Sequence, residues 1–455
     1  MKILMITPTF PPAGGAHTLR MIKMANALVG HGYEVHVLTY NDDKNHPTYD
    51  ATLVSRVAKG IVSHGAPIGI WHRKVYEQNV ELKLEVNSAS QNKYSIKKWI
   101  NSIVNDIGKK AIRKFMFPDS MVDWYFSSIK QEHKDKLVSI IKPDVIISCS
   151  MPSSVHLIGY KLSKKYHVPL VVDYADPWVY RVGYVKNLRF YFESRLEKNI
   201  LKHAMFASFS AEGCRKVYSE GYGLDDEKTI TVMSGYEESL QQEVNEIRKI
   251  HSKQRGKKLI YGGAIQSGVR DISPLFQALA EIKDSELEML IRTDIPEGPR
   301  EQVRELELED VISVENYIPF AEHVKEIIDS SYVVLLGNSN NIQIPSKVFN
   351  YIAIGTPILY LSMLEGADDV GNMVLNSKTG IVVRNNKEEI LMALNELFDL
   401  DISFSTIDCN DRDAIKEQKR RLEYADGTNF SQYSDIAQFD LFCEKLEKTI
   451  KNENK

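Results

Sequence analysis

Short apolar runs alternate with stretches of helical periodicity through most of the chain, the pattern of strands and crossover helices in a parallel α/β sheet. In the first half, the runs at 3–7, 34–39, 145–148, 170–173, 205–209 and 229–233 are predicted strands. Amphipathic stretches such as 19–29 and 154–165 lie between them as helices. The second half starts the alternation afresh, with strands predicted at 259–262, 288–292, 311–314, 333–336, 357–360 and 380–383.

The two halves open alike. KILMITPTFPPAGGAHTLRMIKMANAL and KLIYGGAIQSGVRDISPLFQALAEI each give an apolar strand, a loop with paired glycines, then a helix. Residues 237–258 are rich in Glu, Gln, Lys and Arg and poor in large apolar clusters, and read as the linker between domains. The predicted organisation is a first domain over 1–236, the linker over 237–258, a second domain over 259–410 and terminal helices over 411–455. An apolar stripe at Ile436, Phe439, Leu441, Phe442 and Leu446 would let the last helix pack back on the first domain. Region 43–91 follows neither period and reads as an insertion or a sheet edge. Doubly wound sheets bind ligands beyond the carboxyl ends of their strands, so two such domains would set their first loops across a shared cleft.

With 455 residues, 43% hydrophobic and 26% charged, the chain can fill two or three cores and is neither disordered nor collagen-like. Lys+Arg 57 against Asp+Glu 61 leaves a net charge of -4, so no global basic field recruits nucleic acid. Cys149, Cys214, Cys409 and Cys443 lie far apart without a CxxC or Cys/His cluster. They fit buried thiols in a reducing compartment, not a disulfide framework or a zinc site. The N-terminal apolar run stops at Thr7 and Pro8, too short for a signal h-region, and no run approaches the roughly 18 residues of a membrane span. A cytoplasmic protein is expected.

Three segments carry candidate chemistry. In PTFPPAGGAH, Gly14 and Gly15 precede a helix, where bare backbone admits a ligand and free N–H groups attract an anion; a tight strand-to-helix turn explains the glycines equally well. The spacing is not GxGxxG, which disfavours a nicotinamide enzyme. His17 and Arg20 follow within one turn and serve either the cleft or packing. In PLVVDYADPWVYR, Asp173 and Asp176 stand at the carboxyl end of a strand, the place for a catalytic base or a ligand of an acceptor hydroxyl; capping before Pro177 accounts for one of them, not both. In IPSKVFNYIAIGTPILYL, Pro345 and Ser346 start a helix that Gly355 stops. Lys347 then sits in the first turn, against the helix dipole. A bound phosphate would resolve that conflict, while a solvated lysine would cost at most about 1 kcal/mol. Arg270, just beyond Gly262 and Gly263, would add a second positive charge. The acidic pairs Asp42–Asp43, Asp225–Asp226 and Asp368–Asp369 read as solvated turns and not metal ligands.

The order of FPPxGG, VDxxDPW, a strand–Gly–Gly opening and PSKxFxYxAxGxPIL resembles GT-B fold glycosyltransferases, most closely the family-four (glycosyltransferase group 1) sugar-nucleotide-dependent enzymes of polysaccharide and glycolipid assembly. MFPDSMVDWYF resembles the Pro-Asp…Trp segment of the same group. The resemblance covers roughly 1–40, 118–236 and 258–398, and PSKxFxYxAxG is its most specific part. It implies an α/β GT-B protein with two Rossmann-like doubly wound domains facing a central cleft. The implied activity is metal-independent hexosyl transfer from a nucleoside-diphosphate sugar to a glycan or lipid-linked acceptor, with no cofactor besides the donor. Gly263, Arg270, Ser346, Lys347 and Asn350 are then the donor and phosphate side. Gly14, Gly15, His17 and Arg20 form the acceptor loop, and Asp176 and Asp173 are the catalytic candidates. Two departures stand out. Ile342 and Asn350 occupy the positions of the family's paired glutamates, with Asn340, Asn341 and Gln343 near enough to substitute. Ala175 replaces the family's histidine, which turns attention to Asp176.

One feature lies outside the resemblance. Between 93 and 117, Lys93, Lys97, Lys98, Lys109, Lys110, Arg113 and Lys114 face one acid, Asp106, and Ile96, Ile100, Ile103, Val104, Ile107, Ala111 and Phe115 recur at helical spacing near Trp99. Such a helix suits peripheral contact with an anionic inner membrane face, or packing on its own domain with a solvated basic side. Alternatives to a transferase are a sugar-nucleotide epimerase of GT-B shape, and a non-catalytic glycan- or nucleotide-binding partner.

Overall fold

A computed structural model describes residues 1–40, 49–67, 116–119, 121–181, 183–250, 256–263, 265, 270–282, 286–366, 368–400, 409–423 and 430–453. The chain separates into two compact units: Met1–Ser210 with Arg215–Val232 and Phe439–Lys455, and Ala211–Cys214 with Met233–Gln438.

The first unit is a seven-stranded sheet in the order β3-β2-β1-β4-β5-β6-β7. Its strands are β1 (Lys2–Ile6), β2 (Glu34–Tyr40), β3 (Val62–Ala66), β4 (Val145–Ser150), β5 (Leu170–Tyr174), β6 (Phe206–Phe209) and β7 (Thr229–Thr231), each paired in parallel with its neighbours. The helices are α1 (Ala16–Gly30), α2 (Val122–Asp135), α3 (Leu137–Ile141), α4 (Ser154–Tyr166), α5 (Leu188–His203) and α6 (Glu212–Tyr222). β4 and β5 are buried at every residue, as expected of strands covered on both faces.

The second unit opens with helix α7 (Glu238–Ile250), not with a linker. Leu240, Val244 and Ile247, spaced at i, i+4 and i+7, pack against Phe349, Ile352 and Ile354 and hold the helix on the domain. Six strands follow, in the parallel order β10-β9-β8-β11-β12-β13: β8 (Lys257–Gly262), β9 (Leu287–Thr293), β10 (Ile312–Asn316), β11 (Tyr332–Leu336), β12 (Ile358–Ser362) and β13 (Gly380–Arg384). Between them run α8 (Ser273–Ala280), α9 (Glu297–Glu305), α10 (Phe320–Ile328), α11 (Lys347–Ile354), α12 (Asp369–Asn376) and α13 (Lys387–Phe398), followed by α14 (Cys409–Glu423) and α15 (Asp435–Glu453). Successive strand residues feed opposite cores: Leu259 and Tyr261 join one cluster, and Ile260 the other.

Both sheets are doubly wound. The strand order reverses between β1 and β4 in the first and between β8 and β11 in the second, and at these points ligand crevices form. From α15, Phe439, Phe442, Cys443 and Leu446 are buried in the core of the first unit beside Ile3, Met5 and Val35.

Candidate functional site

The second unit gathers chemistry at its β8/β11 switch point. β8 ends in Gly262–Gly263, and α11 begins at Lys347 and is stopped by Gly355, whose positive φ of 70° sets a left-handed C-cap. The Lys347 ammonium donates to the Gly262 carbonyl, which also accepts from the Tyr351 hydroxyl at 3.3 Å. The Gly263 N–H donates to the Arg292 carbonyl at 2.8 Å. The turn is thus held from α11 and from β9. Neither position has free room for a side chain: a Cβ on Gly263 would lie 2.5 Å from Lys347 Nζ, and one on Gly262 2.1 Å from His323 Nε2.

Arg270 reaches the same place, its Nε donating to Asn338 Oδ1 at 3.1 Å just past the end of β11. Asn338 is itself fixed, its Nδ2 donating to the Gln343 carbonyl at 3.0 Å. Burial, and then the neighbouring charge of Arg270, lower the Lys347 pKa to about 8, with Asp294 opposing. Burial lifts Tyr261 to about 12. Two cations are therefore held near each other, one at a cost in proton affinity, beside the first turn of a helix. An anion on that turn would meet both charges and the helix N-terminus.

His323, on α10, borders the turn from below. Its Nδ1 lies 3.3 Å from Glu326, and Arg292 grips Glu326 through Nε at 3.1 Å and Nη2 at 2.5 Å. Burial lowers the His323 pKa, Glu326 opposes, and Lys347 and Arg292 add to the fall. Asn338, Asp294 and His323 were not singled out from sequence, although Asn338 and Asp294 stand just beyond strand ends, where the switch-point rule directs attention.

The other donor-side candidates stay local. Ser346 is the exposed N-cap of α11 and makes no side-chain cap bond. Asn350 is half-buried one turn along from Lys347. Ile342 lies on the 338–346 loop, where its N–H donates to Asn340 Oδ1 at 3.1 Å. Asn341 is paired with Asp369, donating from Nδ2 at 3.2 Å and accepting from its N–H at 2.8 Å. Asp368 is not a solvated turn residue: it caps α12 through the Gly371 N–H at 2.9 Å and accepts from Tyr360 at 3.1 Å and from Ser362.

In the first unit the structure moves two candidates into the interior. Asp173 is fully buried on β5 and Arg20 is 3% exposed on α1; they form a bidentate pair, and Ser208 donates to Asp173 Oδ1 at 2.7 Å. Both side chains are buried, and their charges are spent on each other. The Arg20 guanidinium also lies 5.3 Å from the Phe439 ring centroid. His17 sets Nε2 3.1 Å from the Thr7 hydroxyl, with Nδ1 buried and unpaired, and burial drives its pKa down to about 4. Gly15 is the N-cap of α1, and Gly14 is half-buried beside it. Asp176 is half-buried just past β5, next to the buried Trp178. The basic stretch 93–115 lies outside the described residues.

No protein-family model matches the chain, and no curated protein sequence matches it. Solved structures do. Sucrose-phosphate synthase from Thermosynechococcus elongatus is 14% identical, with 98% of this chain and 99% of that chain covered and a TM-score of 0.61. A glycosyltransferase from Rickettsia africae is 13% identical over 99% of both chains, also at 0.61. Anabaena HepE, solved in complex with UDP and glucose, is 12% identical over 98% and 99%, at 0.57. At these identities the likeness is one of fold. The chain has the GT-B fold of these proteins, built from two Rossmann-like α/β units.

Proposed function

We propose that the protein is a glycosyltransferase that binds a nucleoside-diphosphate sugar in its second unit and passes the sugar to a glycan or lipid-linked acceptor. The observation that carries this reading is the pairing of Lys347 and Arg270 at the Gly262–Gly263 turn, at the switch point of the sheet. HepE, with the same fold, binds UDP and glucose, which supports a nucleotide-sugar ligand.

In this reading the pyrophosphate lies over the glycine turn at the start of α11. Lys347 keeps one N–H on the Gly262 carbonyl and offers the others to phosphate oxygens, since an ammonium carries three donors. Arg270, braced by Asn338, takes a further oxygen. As the glycosidic bond to the donor breaks, negative charge grows on the leaving diphosphate, and these fixed cations stabilise it there. They fill the role a divalent metal fills elsewhere, so transfer is proposed to be metal-independent and to need no cofactor beyond the donor. Asn350, on the Lys347 face of α11, hydrogen-bonds a ribose hydroxyl. Asp176 positions or deprotonates the acceptor hydroxyl, with the Gly14–Gly15 loop beside it. Work on a lipid-linked acceptor would place the protein at the cytoplasmic face of a membrane.

The test is turnover. The purified protein is incubated with UDP-, GDP- and ADP-sugars, with and without glycan acceptors and with chelator present, and products are identified by mass. Acceptor-dependent transfer that survives chelation and is lost in Asp176→Asn supports the proposal. Acceptor-independent conversion of the nucleotide sugar would make the protein an epimerase, and no turnover with any donor would leave a binding protein.

A further inference from the structure

Helix α5 (Leu188–His203) divides its residues sharply between two faces. On the inner face Glu193 and Glu197 are fully buried. Glu193 accepts from Trp178 Nε1 at 2.9 Å, the Tyr184 hydroxyl at 2.6 Å and Arg189 Nε at 2.6 Å. Glu197 accepts from the hydroxyls of Tyr218 at 2.9 Å and Tyr222 at 2.6 Å. Both acids of the helix are thereby consumed internally.

The outer face is the reverse. Leu188, Tyr191 and Phe192 are 72%, 65% and 60% exposed, and Val185, just ahead of the helix, is 68% exposed. Arg195, Lys198 and Lys202 continue the same stripe at helical spacing and are exposed, with Lys186 at its head. A soluble surface scatters its large apolar groups singly; here four fall within eight positions, and every exposed formal charge from 185 to 202 is positive.

We propose that this face of α5 is a docking surface for an anionic lipid bilayer. Leu188, Tyr191, Phe192 and Val185 enter the headgroup boundary, and Lys186, Arg195, Lys198 and Lys202 meet lipid phosphates. An aromatic–aliphatic patch continued by an all-basic stripe matches that surface in both polarity and charge. A second copy of this chain would bring the basic stripe no acidic partner, since every exposed formal charge on this face is positive. The inference stands on the first unit alone and does not depend on the sugar-transfer reading or on residues 93–117.

The experiment is co-sedimentation of the full chain, without nucleotide, with phosphatidylcholine vesicles that contain or lack phosphatidylglycerol. Binding is expected only to the anionic vesicles and is expected to weaken as salt rises. The variant Leu188→Ser/Tyr191→Ser/Phe192→Ser, changed only at exposed positions, should keep its melting temperature and lose about tenfold or more in partitioning. Arg195→Gln/Lys198→Gln/Lys202→Gln should lose the dependence on anionic lipid. Equal binding by the wild type and both variants overturns the proposal, as does a wild type that ignores anionic vesicles. So does self-association in sedimentation velocity that the Ser variant abolishes while vesicle binding is unchanged, which would make the face an interface between copies.

Discussion

Arg20 and Asp173, 153 positions apart, meet as a bidentate ion pair inside the first sheet, with Nε–Oδ2 at 3.2 Å and Nη2–Oδ1 at 2.7 Å. Ser208 completes the carboxylate's partners, and Phe439 of the last helix lies on the guanidinium. The pair joins α1, β5 and β6, so its first consequence is for stability. Removing one partner from a buried pair leaves an uncompensated charge, at about 3–5 kcal/mol. Asp173→Asn should therefore lower the urea midpoint strongly. Asp176→Asn, at a half-buried position, should leave the midpoint nearly unchanged and abolish turnover. The two substitutions, compared by unfolding and by assay, separate a structural aspartate from a catalytic one.

The two glycines of the β8 turn should fail differently. A Cβ on Gly263 meets the end of a flexible lysine, which can swing aside. Gly263→Ala should keep the fold, at a modest stability cost from its φ of 155°, and weaken nucleotide binding by displacing the Lys347 ammonium. A Cβ on Gly262 meets the buried His323 ring, which has no such freedom. Gly262→Ala should cost about 1–3 kcal/mol of stability. Melting curves beside nucleotide titrations show whether the costs divide this way.

Nucleotide affinity should depend on pH through Lys347, whose pKa burial and Arg270 lower to about 8. The bound anion favours the protonated form, so the complex holds a proton that the free protein releases above that value. Above pH 7, where the diphosphate is fully ionised, affinity should fall as pH rises through about 8. Lys347→Arg, which keeps its charge at any working pH, should remove the fall. Titration calorimetry at pH 7 and 9 reads this directly.

Stability should fall in acid through two histidines, His156 fully buried and His17 half-buried with its Nδ1 enclosed. Burial lowers His156, paired with Ser148 at 2.8 Å, to about 3, and lowers His17 to about 4. Below the unfolded value near 6.5 the unfolded chain takes up protons that the folded chain refuses, so stability is full above pH 6.5 and is lost toward pH 4. Each histidine contributes up to about 1.4 kcal/mol per pH unit in that window. Glu197, raised by burial to about 7, has the opposite sign: the folded state holds its proton above the unfolded value of 4.5, so its contribution declines as pH rises from 4.5 to 7. Urea unfolding at pH 5 and 7 should show a net loss in acid, larger in Glu197→Gln and smaller in His156→Gln.

Among the described residues, twelve of the thirteen strands were legible because they fall on apolar runs bounded by polar turns. β3 escaped because only Ala66 of its five residues is buried, as suits an edge. α7 escaped because three apolar side chains among charged neighbours suffice to seat a helix on an existing core, while composition averages them away. At the site, Lys347 was visible as a cation placed against a helix dipole. The burial of Asp173 was not, since nothing near 173 in sequence announces that Arg20 will fold onto it. Asn338 and Asp294 carry no motif and become informative only when the topology puts strand ends together.

The most direct test of the account is calorimetric titration of UDP, GDP and ADP into the wild type, Lys347→Ala and Arg270→Ala. The account predicts that one of these nucleotides binds at one site per chain, and that each substitution weakens it at least about tenfold, as the loss of a charge-assisted hydrogen bond requires. No binding by the wild type, or equal binding by all three proteins, would contradict a diphosphate site at the Gly262–Gly263 turn.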